Sequence, residues 1–309
     1  KEYSTFDDDK IKSFIDSTVG IYIESHFGGA DTKSKSFLYK LNVLQTNVLV
    51  LMKHIIKELS QSDFDVSDCE LKIGTDIPAY TIKLPTGQNI AVYGSIDRVD
   101  VMNNGAEKYI RIVDYKTGTK TFKLSDILYG LNLQMLLYLY AVKMNGKEKY
   151  GDFVPAGILY MPATVPVISA DDNTTAEKIE STLDTKLKMN GILLDDVKVI
   201  RGMDKSELGK YIPVKIKLDT PVSDRSLANI AQFGEIFKKL DATIISMGQE
   251  LYSGDIPASP AKGAHDACEY CPYDSVCAYR MSEARNTFDV DNKEVFKQIE
   301  KGLDGEVLK

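Results

Sequence analysis

The sequence predicts a mixed α/β fold. Apolar residues recur at three- and four-residue steps between Phe37 and Leu59, which is typical of an amphipathic helix. Strand patterns follow over Asn89–Met102 and Lys108–Lys116, separated by the turn signal Asn103-Asn104-Gly105. An apolar helix is then predicted over Ser125–Met144. This order of helices, clustered strands and a further helix is the basis for the α/β prediction.

The remaining elements are predicted from the same two periodicities. Strands are expected over Glu70–Ile73, Ala79–Leu84 and Gly157–Pro162, and helices over Thr175–Asn190 and Arg225–Glu250. The chain divides into a helical segment at 1–62, a core at 63–252 with an insertion at about 168–224, a cysteine region at 253–281 and a tail at 282–309. From Asn286 onward, the tail is expected to be a charged helix exposed to solvent.

Composition excludes several classes of protein. The 309 residues carry a net charge of −7 and give a pI near 5.2, whereas a protein that coats DNA by bulk charge is usually basic. No apolar run approaches the roughly 20 residues needed to cross a bilayer, and the first residues lack signal-peptide features. We therefore expect a cytoplasmic protein. Because the sequence does not begin with Met, we expect it to be part of a longer protein or a trimmed form of one.

The segment Gly94–Lys116 carries carboxylates and a lysine in a pattern that suggests catalysis. Strand alternation places Asp114 and Lys116 on one face, at the end of an apolar strand. Asp97 lies at the end of the preceding strand pattern. Two antiparallel strands joined by a turn can bring Asp97 next to Asp114.

Phosphodiester hydrolysis explains why such residue types would be grouped. A hard divalent cation, held by about two carboxylates and water, polarises the phosphoryl oxygen and lowers the pKa of an attacking water. Lys116 could orient that water and stabilise developing negative charge, and the main-chain carbonyl of Tyr115 is available as a further oxygen ligand. The alternative for Asp114 and Lys116 alone is a solvated ion pair at a strand end.

Two polar residues on the following helix extend the pattern. Gln134 and Tyr138 are one turn apart and share a face. A glutamine among so many leucines is costly to bury without a partner. The alternative is that the backbone satisfies Gln134.

Taken together, these residues resemble the PD-(D/E)XK nucleases of the RecB type. The segments Gly94–Asp100 and Ile112–Gly118 and the Gln134-x-x-x-Tyr138 pair carry the resemblance. It is closest to the C-terminal nuclease domain of AddB-type subunits of bacterial helicase–nucleases. It also includes Phe64–Gly74, Gly157–Pro162, Gly191–Asp196 and the C-terminal cysteines, and it covers about Phe37–Arg280. The resemblance implies a restriction-endonuclease-like core, with a central mixed sheet flanked by helices.

The resemblance also implies roles and partners. Asp97 and Asp114 would bind Mg²⁺, and Lys116 would be the catalytic lysine. Gln134 and Tyr138 would lie near the DNA strand and the active site. The family reaction is Mg²⁺-dependent cleavage of single-stranded DNA during double-strand break repair by homologous recombination. The implied partners are single-stranded DNA, double-stranded DNA ends and an AddA-type helicase–nuclease subunit in a heterodimer.

Some residues depart from the family pattern or are ambiguous. RecB-type nucleases usually carry a helical histidine well upstream of the first aspartate. The spacing places that motif before Lys1, so we interpret His26 as a surface histidine. His54, inside the apolar helix, is interpreted as structural. Glu70 either supports the site or is a solvated strand residue.

Three cysteines near the C-terminus form a C-x₂-C-x₅-C pattern. Cys268, Cys271 and Cys277 are clustered, which favours a metal site over a disulfide framework. Zn²⁺ and an iron–sulfur cluster both need a fourth ligand. The resemblance favours a [4Fe–4S] cluster whose fourth cysteine lies upstream of the histidine motif. We therefore expect an incomplete or absent cluster in this chain, unless Cys69 substitutes.

Two other functions are open at the level of sequence. One is a nuclease-fold module that binds DNA ends and scaffolds a helicase complex without cutting. The other is a stand-alone exonuclease of the same type. The long helical N-terminal part and the predicted insertion at Ile168–Asp224 argue against the latter.

Overall fold

A six-stranded sheet forms the centre of the computed structural model, which describes residues 2–118, 120–169, 171, 174–273, 275–277, 279 and 284–303. The strands are β1 (Asp65–Ile73), β4 (Gly94–Asn104), β5 (Glu107–Lys116), β6 (Val154–Pro162), β7 (Asn190–Leu194) and β10 (Leu227–Ala228). They follow this order across the sheet. The pairs β5–β6 and β7–β10 are parallel and the other neighbours are antiparallel. The predicted mixed α/β architecture is confirmed.

Helices and three small ribbons surround this sheet. The helices are α1 (Asp8–Phe27), α2 (Lys35–Gln61), α3 (Gln134–Asn145), α4 (Lys147–Tyr150), α5 (Ala176–Lys186), α6 (Val197–Met203), α7 (Ile230–Ser253) and α8 (Asn292–Leu303), with 3-10 helices at Glu2–Thr5 and Leu124–Tyr129. The ribbons pair β2 (Tyr80–Lys83) with β3 (Asn89–Val92), β8 (Lys215–Lys217) with β9 (Thr220–Val222), and β11 (Ala261–Gly263) with β12 (Arg285–Thr287). None of the described helices combines the length and apolarity needed to span a membrane.

One face of β4 and β5 carries a buried ion cluster, formed by Glu58, Arg98, Asp100 and Arg111. Arg98 Nη2 lies 2.9 Å from Asp100 Oδ2 and 3.3 Å from Glu58 Oε2. Arg111 contacts the same two residues, with Nε 2.9 Å from Asp100 Oδ2 and Nη2 2.6 Å from Glu58 Oε1. Because Glu58 belongs to α2, the cluster joins this helix to both strands.

A second polar contact holds α3 in place. Asp241 of α7 accepts a hydrogen bond from Tyr80 Oη at 2.6 Å and another from Tyr140 Oη at 2.7 Å. Tyr140 belongs to α3, and its ring stacks on Phe237 with the centroids 4.6 Å apart. The helix α3 is therefore tied both to α7 and to the β2–β3 ribbon.

Two predicted helices differ from the observed ones. The helix expected over Ser125–Met144 is divided into a 3-10 helix and α3, because Gly130 (φ 70°) and Asn132 (φ 52°) adopt left-handed backbone between them. The helix expected from Arg225 begins at Ile230. There Asn229 and Gln232 form a capping box, and the residues just before it join the sheet as β10.

The prediction of an exposed tail helix is wrong for α8. Val295, Phe296 and Ile299 are buried, and α8 packs against α7 and the 3-10 helix at Leu124–Tyr129. Their spacing gives the charged helix one apolar face. The expected boundary at 281–282 and residues 304–309 lie outside the described residues. The segment predicted as an insertion contributes β7 to the central sheet.

Removing one charge from the buried ion cluster tests its importance. We expect Glu58→Gln to lower the free energy of unfolding by about 3–5 kcal/mol, because it leaves two buried guanidinium groups with one carboxylate. The control is Lys57→Gln, which removes an exposed ion pair between Lys57 and Glu180 and should cost no more than about 1 kcal/mol. Urea denaturation measures both, and equal effects would contradict the assignment.

Candidate active site

The two predicted metal-binding carboxylates lie on neighbouring strands. In the antiparallel register of β4 and β5, Arg98 pairs with Val113. One residue further in the same register, Asp97 of β4 stands opposite Asp114 of β5. Strand alternation turns both carboxylates away from the face that carries the buried ion cluster. The structure therefore brings Asp97 and Asp114 together, as the hairpin pattern predicted.

Tyr115 connects this pair to the cluster behind it. Its main-chain N–H donates a hydrogen bond to Asp97 Oδ2 at 2.8 Å, which fixes one carboxylate against the neighbouring strand. Its side chain points to the other face, where Tyr115 Oη accepts a hydrogen bond from Arg98 Nη1 at 3.0 Å. The main-chain carbonyl of Tyr115 remains a predicted metal ligand.

Lys116 contacts the second carboxylate directly. Its Nζ lies 2.5 Å from Asp114 Oδ2 and 5.7 Å from the centre of the Tyr160 ring. Burial, reinforced by the negative charge of Asp97, raises the pKa of Asp114 despite the opposing effect of Lys116. Burial and the nearby Asp114 and Asp126 carboxylates raise the pKa of Tyr160 to about 12. A buried anion with another anion beside it is a place where a cation would be stabilised.

Gln134 and Tyr138 approach the site from α3. Gln134 Nε2 donates to Tyr138 Oη at 3.2 Å, so the two predicted residues are in contact. The Tyr138 ring packs against Gly94 at the start of β4. A Cβ at Gly94 would lie 2.5 Å from Tyr138 Cε1 and 2.6 Å from Cζ. Because this distance is shorter than van der Waals contact, only glycine allows the tyrosine to sit there.

The donor set of this site suits a hard divalent cation. Asp97 and Asp114 supply carboxylate oxygens, which Mg²⁺ prefers, and Mg²⁺ sites commonly use one or two carboxylates with water. Within the described part of the chain, no group of three or more His, Cys, Asp and Glu side chains is arranged as a metal site. Glu70, which has a left-handed backbone (φ 55°), accepts a hydrogen bond from Ser95 Oγ at 2.9 Å. The Glu70 carboxylate is thus hydrogen-bonded to β4, the strand that also carries Asp97.

Two histidines singled out from the sequence lie away from these carboxylates. His26 is exposed in the last turn of α1 and stacks on Tyr22, near the start of α2. The start of α2, at Lys35, is about 35 Å from Glu58, given the 1.5 Å rise per helical residue. His54 is buried, with Nδ1 3.3 Å from Asp184 Oδ1, and burial lowers its pKa. The structural interpretation of His54 agrees with this position.

The cysteines occupy the segment after β11. Cys271 N donates to Cys268 O at 3.2 Å and Cys277 N donates to Tyr273 O at 2.8 Å, so two turns carry the three thiols. Cys69 is exposed on β1, an edge strand of the central sheet. Among the described residues, no three His, Cys, Asp or Glu side chains are grouped as a metal site, so no fourth ligand for the cysteines is found there.

Comparison with known families now identifies the fold. Residues 32–278 match the family model described as the PD-(D/E)XK nuclease superfamily. The chain belongs to this superfamily. The match includes β4, β5 and α3, which carry the paired aspartates, the lysine and the Gln134–Tyr138 contact. It also includes the three cysteines.

Within this superfamily, the chain is similar to proteins of one name. It is 34% identical over its full length to the B-type subunit of the ATP-dependent helicase/deoxyribonuclease of Thermoanaerobacter sp. (strain X514) and covers 28% of that protein. A protein of the same name from Ruminiclostridium cellulolyticum is 33% identical over 94% of the chain, and the chain covers 26% of that protein. For the Clostridium kluyveri protein of the same name, the identity is 35% over 86% of the chain, and the chain covers 24% of that protein. The chain thus spans about a quarter of these AddB-type relatives.

Sequence reasoning missed several residues around the site. Arg98 and Arg111 interrupt apolar strands, and that interruption was a signal for the buried ion cluster. Tyr160 lies opposite Asp114 in the β5–β6 register, but only the parallel pairing reveals it. His265, whose Nε2 lies 2.7 Å from Asp126 Oδ1, has no local sequence signal.

The contact between Gly94 and Tyr138 can be tested without any activity assay. We expect Gly94→Ala to lower the free energy of unfolding by about 1–3 kcal/mol, because the added methyl group overpacks the tyrosine ring. In a Tyr138→Ala background the same change should cost much less, which a double-mutant cycle measures. A matched control is Gly234→Ala, since no atom lies within 4 Å of a Cβ placed there. Equal costs in both backgrounds would refute the contact.

Proposed function

We propose that this chain is the nuclease domain of an AddB-type helicase–nuclease subunit and that it cleaves single-stranded DNA with Mg²⁺. The observation that carries the proposal is the Asp97–Asp114 pair beside Lys116 in a PD-(D/E)XK fold. A partly buried carboxylate pair with one adjacent ammonium is expected of a site that binds a cation and a phosphate together. The order of these side chains on β4 and β5 agrees with that chemistry.

In this proposal, different residues would bind the metal, stabilise charge and position the DNA strand. Asp97, Asp114 and the Tyr115 carbonyl would hold Mg²⁺, which when bound polarises a phosphoryl oxygen and lowers the pKa of water. Lys116, kept in place by Asp114, would stabilise negative charge as it develops on the phosphate. Gln134 and Tyr138 would position the strand, since their amide and hydroxyl groups are hydrogen-bonded to each other beside Gly94.

The names of the relatives support a wider proposal for the whole protein. They are B-type subunits of ATP-dependent helicase/deoxyribonucleases. We infer that this domain works in the cytoplasm beside an AddA-type partner, on strands that a helicase separates from double-stranded DNA ends. Repair of double-strand breaks by homologous recombination is the corresponding process. Domain limits of 63–252 for the core and 253–281 for the cysteine region remain part of this proposal.

Substitutions at the carboxylate and the lysine test the nuclease proposal. We expect Asp114→Asn and Lys116→Ala to reduce Mg²⁺-dependent cleavage of a labelled single strand about 10³-fold, which corresponds to the several kcal/mol that metal and charge stabilisation supply. Mg²⁺ should raise the melting temperature of the unmodified protein but not of Asp114→Asn, because only an intact site binds it. The control is Asp31→Asn in the exposed α1–α2 loop.

The outcomes separate the proposal from its alternatives. Cleavage that survives Asp114→Asn or EDTA would show that the site is assigned wrongly. DNA-end binding without any Mg²⁺-dependent cleavage by the unmodified protein would favour the scaffolding module. Failure to associate with an AddA-type subunit, with cleavage intact, would favour a stand-alone exonuclease.

The cysteine region carries a separate proposal. Cys268, Cys271 and Cys277 would supply three thiolates to a [4Fe–4S] cluster, and a cubane cluster is usually held by four. The exposed Cys69 lies on a sheet edge, and no fourth ligand is identified in the described residues. We therefore expect anaerobically purified protein to contain less than a full complement of iron and sulfide. Full occupancy with visible cluster absorbance would contradict this expectation.

A further inference from the structure

A pocket of about 390 Å³ opens beside the end of β5, next to the candidate site. The loop after β5, the segment after β6 and the turn between α5 and β7 form its walls. Its charged lining residues, among those the structure describes, are Lys116, Lys120, Lys186 and Lys188. A pocket of similar volume between α2 and α5 is lined by Lys53, Lys57, Glu180 and Asp184, so its charges balance. In a chain of net charge −7, the first pocket is a local concentration of positive charge.

The walls of this lysine pocket are fixed by hydrogen bonds. Ala163 N donates to Lys116 O at 2.8 Å, and Thr164 Oγ1 donates to Thr117 O at 2.7 Å. On the opposite wall, the Asn190 side chain holds the main chain on both sides, accepting from Phe122 N at 2.7 Å and donating to Lys120 O at 3.0 Å. The loop therefore presents a shape that exists before a ligand arrives.

A chain of polar side chains positions Lys120 at the pocket. Lys120 Nζ donates to Asn132 Oδ1, Asn132 Nδ2 donates to Asp126 Oδ2 at 2.5 Å, and His265 Nε2 lies 2.7 Å from Asp126 Oδ1. Asn132 holds its place with a left-handed backbone (φ 52°), a conformation that asparagine tolerates better than most residues. Lys120 is thus held by Asn132, which is linked to Asp126 and, through Asp126, to His265.

The pocket is directly continuous with the candidate site. Lys116 and Lys120 lie 5.7 and 6.0 Å from the centre of the same Tyr160 ring, and Tyr160 pairs with Asp114 in the β5–β6 register. Lys186 is exposed and Lys188 is half-buried, and neither pairs with a carboxylate within the described part of the chain. Their ammonium groups are therefore available to an anion from solvent.

We propose that the lysine pocket binds a phosphodiester group of the DNA strand. This group would lie next to the phosphodiester that is cleaved, on the same strand. Lysine is a common phosphate ligand, and a row of ammonium groups that begins at the catalytic lysine would follow a polyanionic backbone. Thr117 and Thr121, which also line the pocket, add neutral hydroxyl groups without adding negative charge. This inference rests on the proposed nuclease function and assigns the path of the substrate, beyond the catalytic residues.

The test uses the full chain with Asp114→Asn, so that DNA is bound but not cut. A fluorescent oligo-dT strand is titrated over a range of salt concentrations, with and without Lys186→Ala/Lys188→Ala. We expect about tenfold weaker binding at low salt. The slope of log K against log salt should fall in magnitude by about 1.4, since each lost contact to a single strand contributes about 0.7. Lys186→Arg/Lys188→Arg should restore both values.

A matched control removes the same charge elsewhere. Lys35→Ala/Lys40→Ala changes two exposed lysines at the start of α2 and should leave the slope unchanged. The proposal is overturned if the pocket variant binds like its parent, if both pairs have equal effects, or if the parent shows no salt-dependent binding. Cleavage by the unmodified protein is measured separately. A normal cleavage rate combined with unaltered binding by the pocket variant would therefore reject the pocket and leave the nuclease function standing.

Discussion

The ion cluster on the reverse face of β4 and β5 sets the register on which the candidate site depends. Arg98 and Asp100 belong to β4, Arg111 belongs to β5, and Glu58 reaches them from α2, with all four side chains almost fully buried. A shift of β4 by one residue would turn Asp97 toward the ion cluster and Arg98 away from it. Leaving buried charges without partners costs several kcal/mol, so alternative registers are strongly disfavoured. The register that pairs these buried charges is also the one that sets Asp97 opposite Asp114.

A second set of contacts aligns α3 with those strands. Asp241 receives hydrogen bonds from Tyr80 and Tyr140, and Tyr138, which precedes Tyr140 on the same helix, packs on Gly94. Because Gly94 has no Cβ, the Tyr138 ring packs directly against the backbone of β4. The Gln134–Tyr138 pair is thus located by β4, the strand that also carries Asp97. The helix α3 and the strand β4 therefore form one packed unit at the site.

The segment after β5 extends this unit toward the C-terminal region. Lys120 is linked through Asn132 and Asp126 to His265, which lies three residues before Cys268. These contacts connect the segment that precedes the cysteines to the loop that follows Lys116. An acidic chain can bind a polyanion when its lysines are concentrated in this way, because the local field, and not the net charge, acts on a bound phosphate.

The sequence by itself determined the residues that local periodicity controls. Strand alternation and the Asn103-Asn104-Gly105 turn predicted that Asp97 and Asp114 meet, and helical spacing predicted the contact between Gln134 and Tyr138. These inferences need only nearby residues, whose relative positions follow from one strand pair or one helix turn. The tertiary structure alone decided which distant groups join them: Glu58 with Arg111, Tyr138 with Gly94, and Asn190 with the lysine loop. Such pairs depend on how the sheet orders its strands and which helix covers each face, and no periodicity in the chain encodes that order.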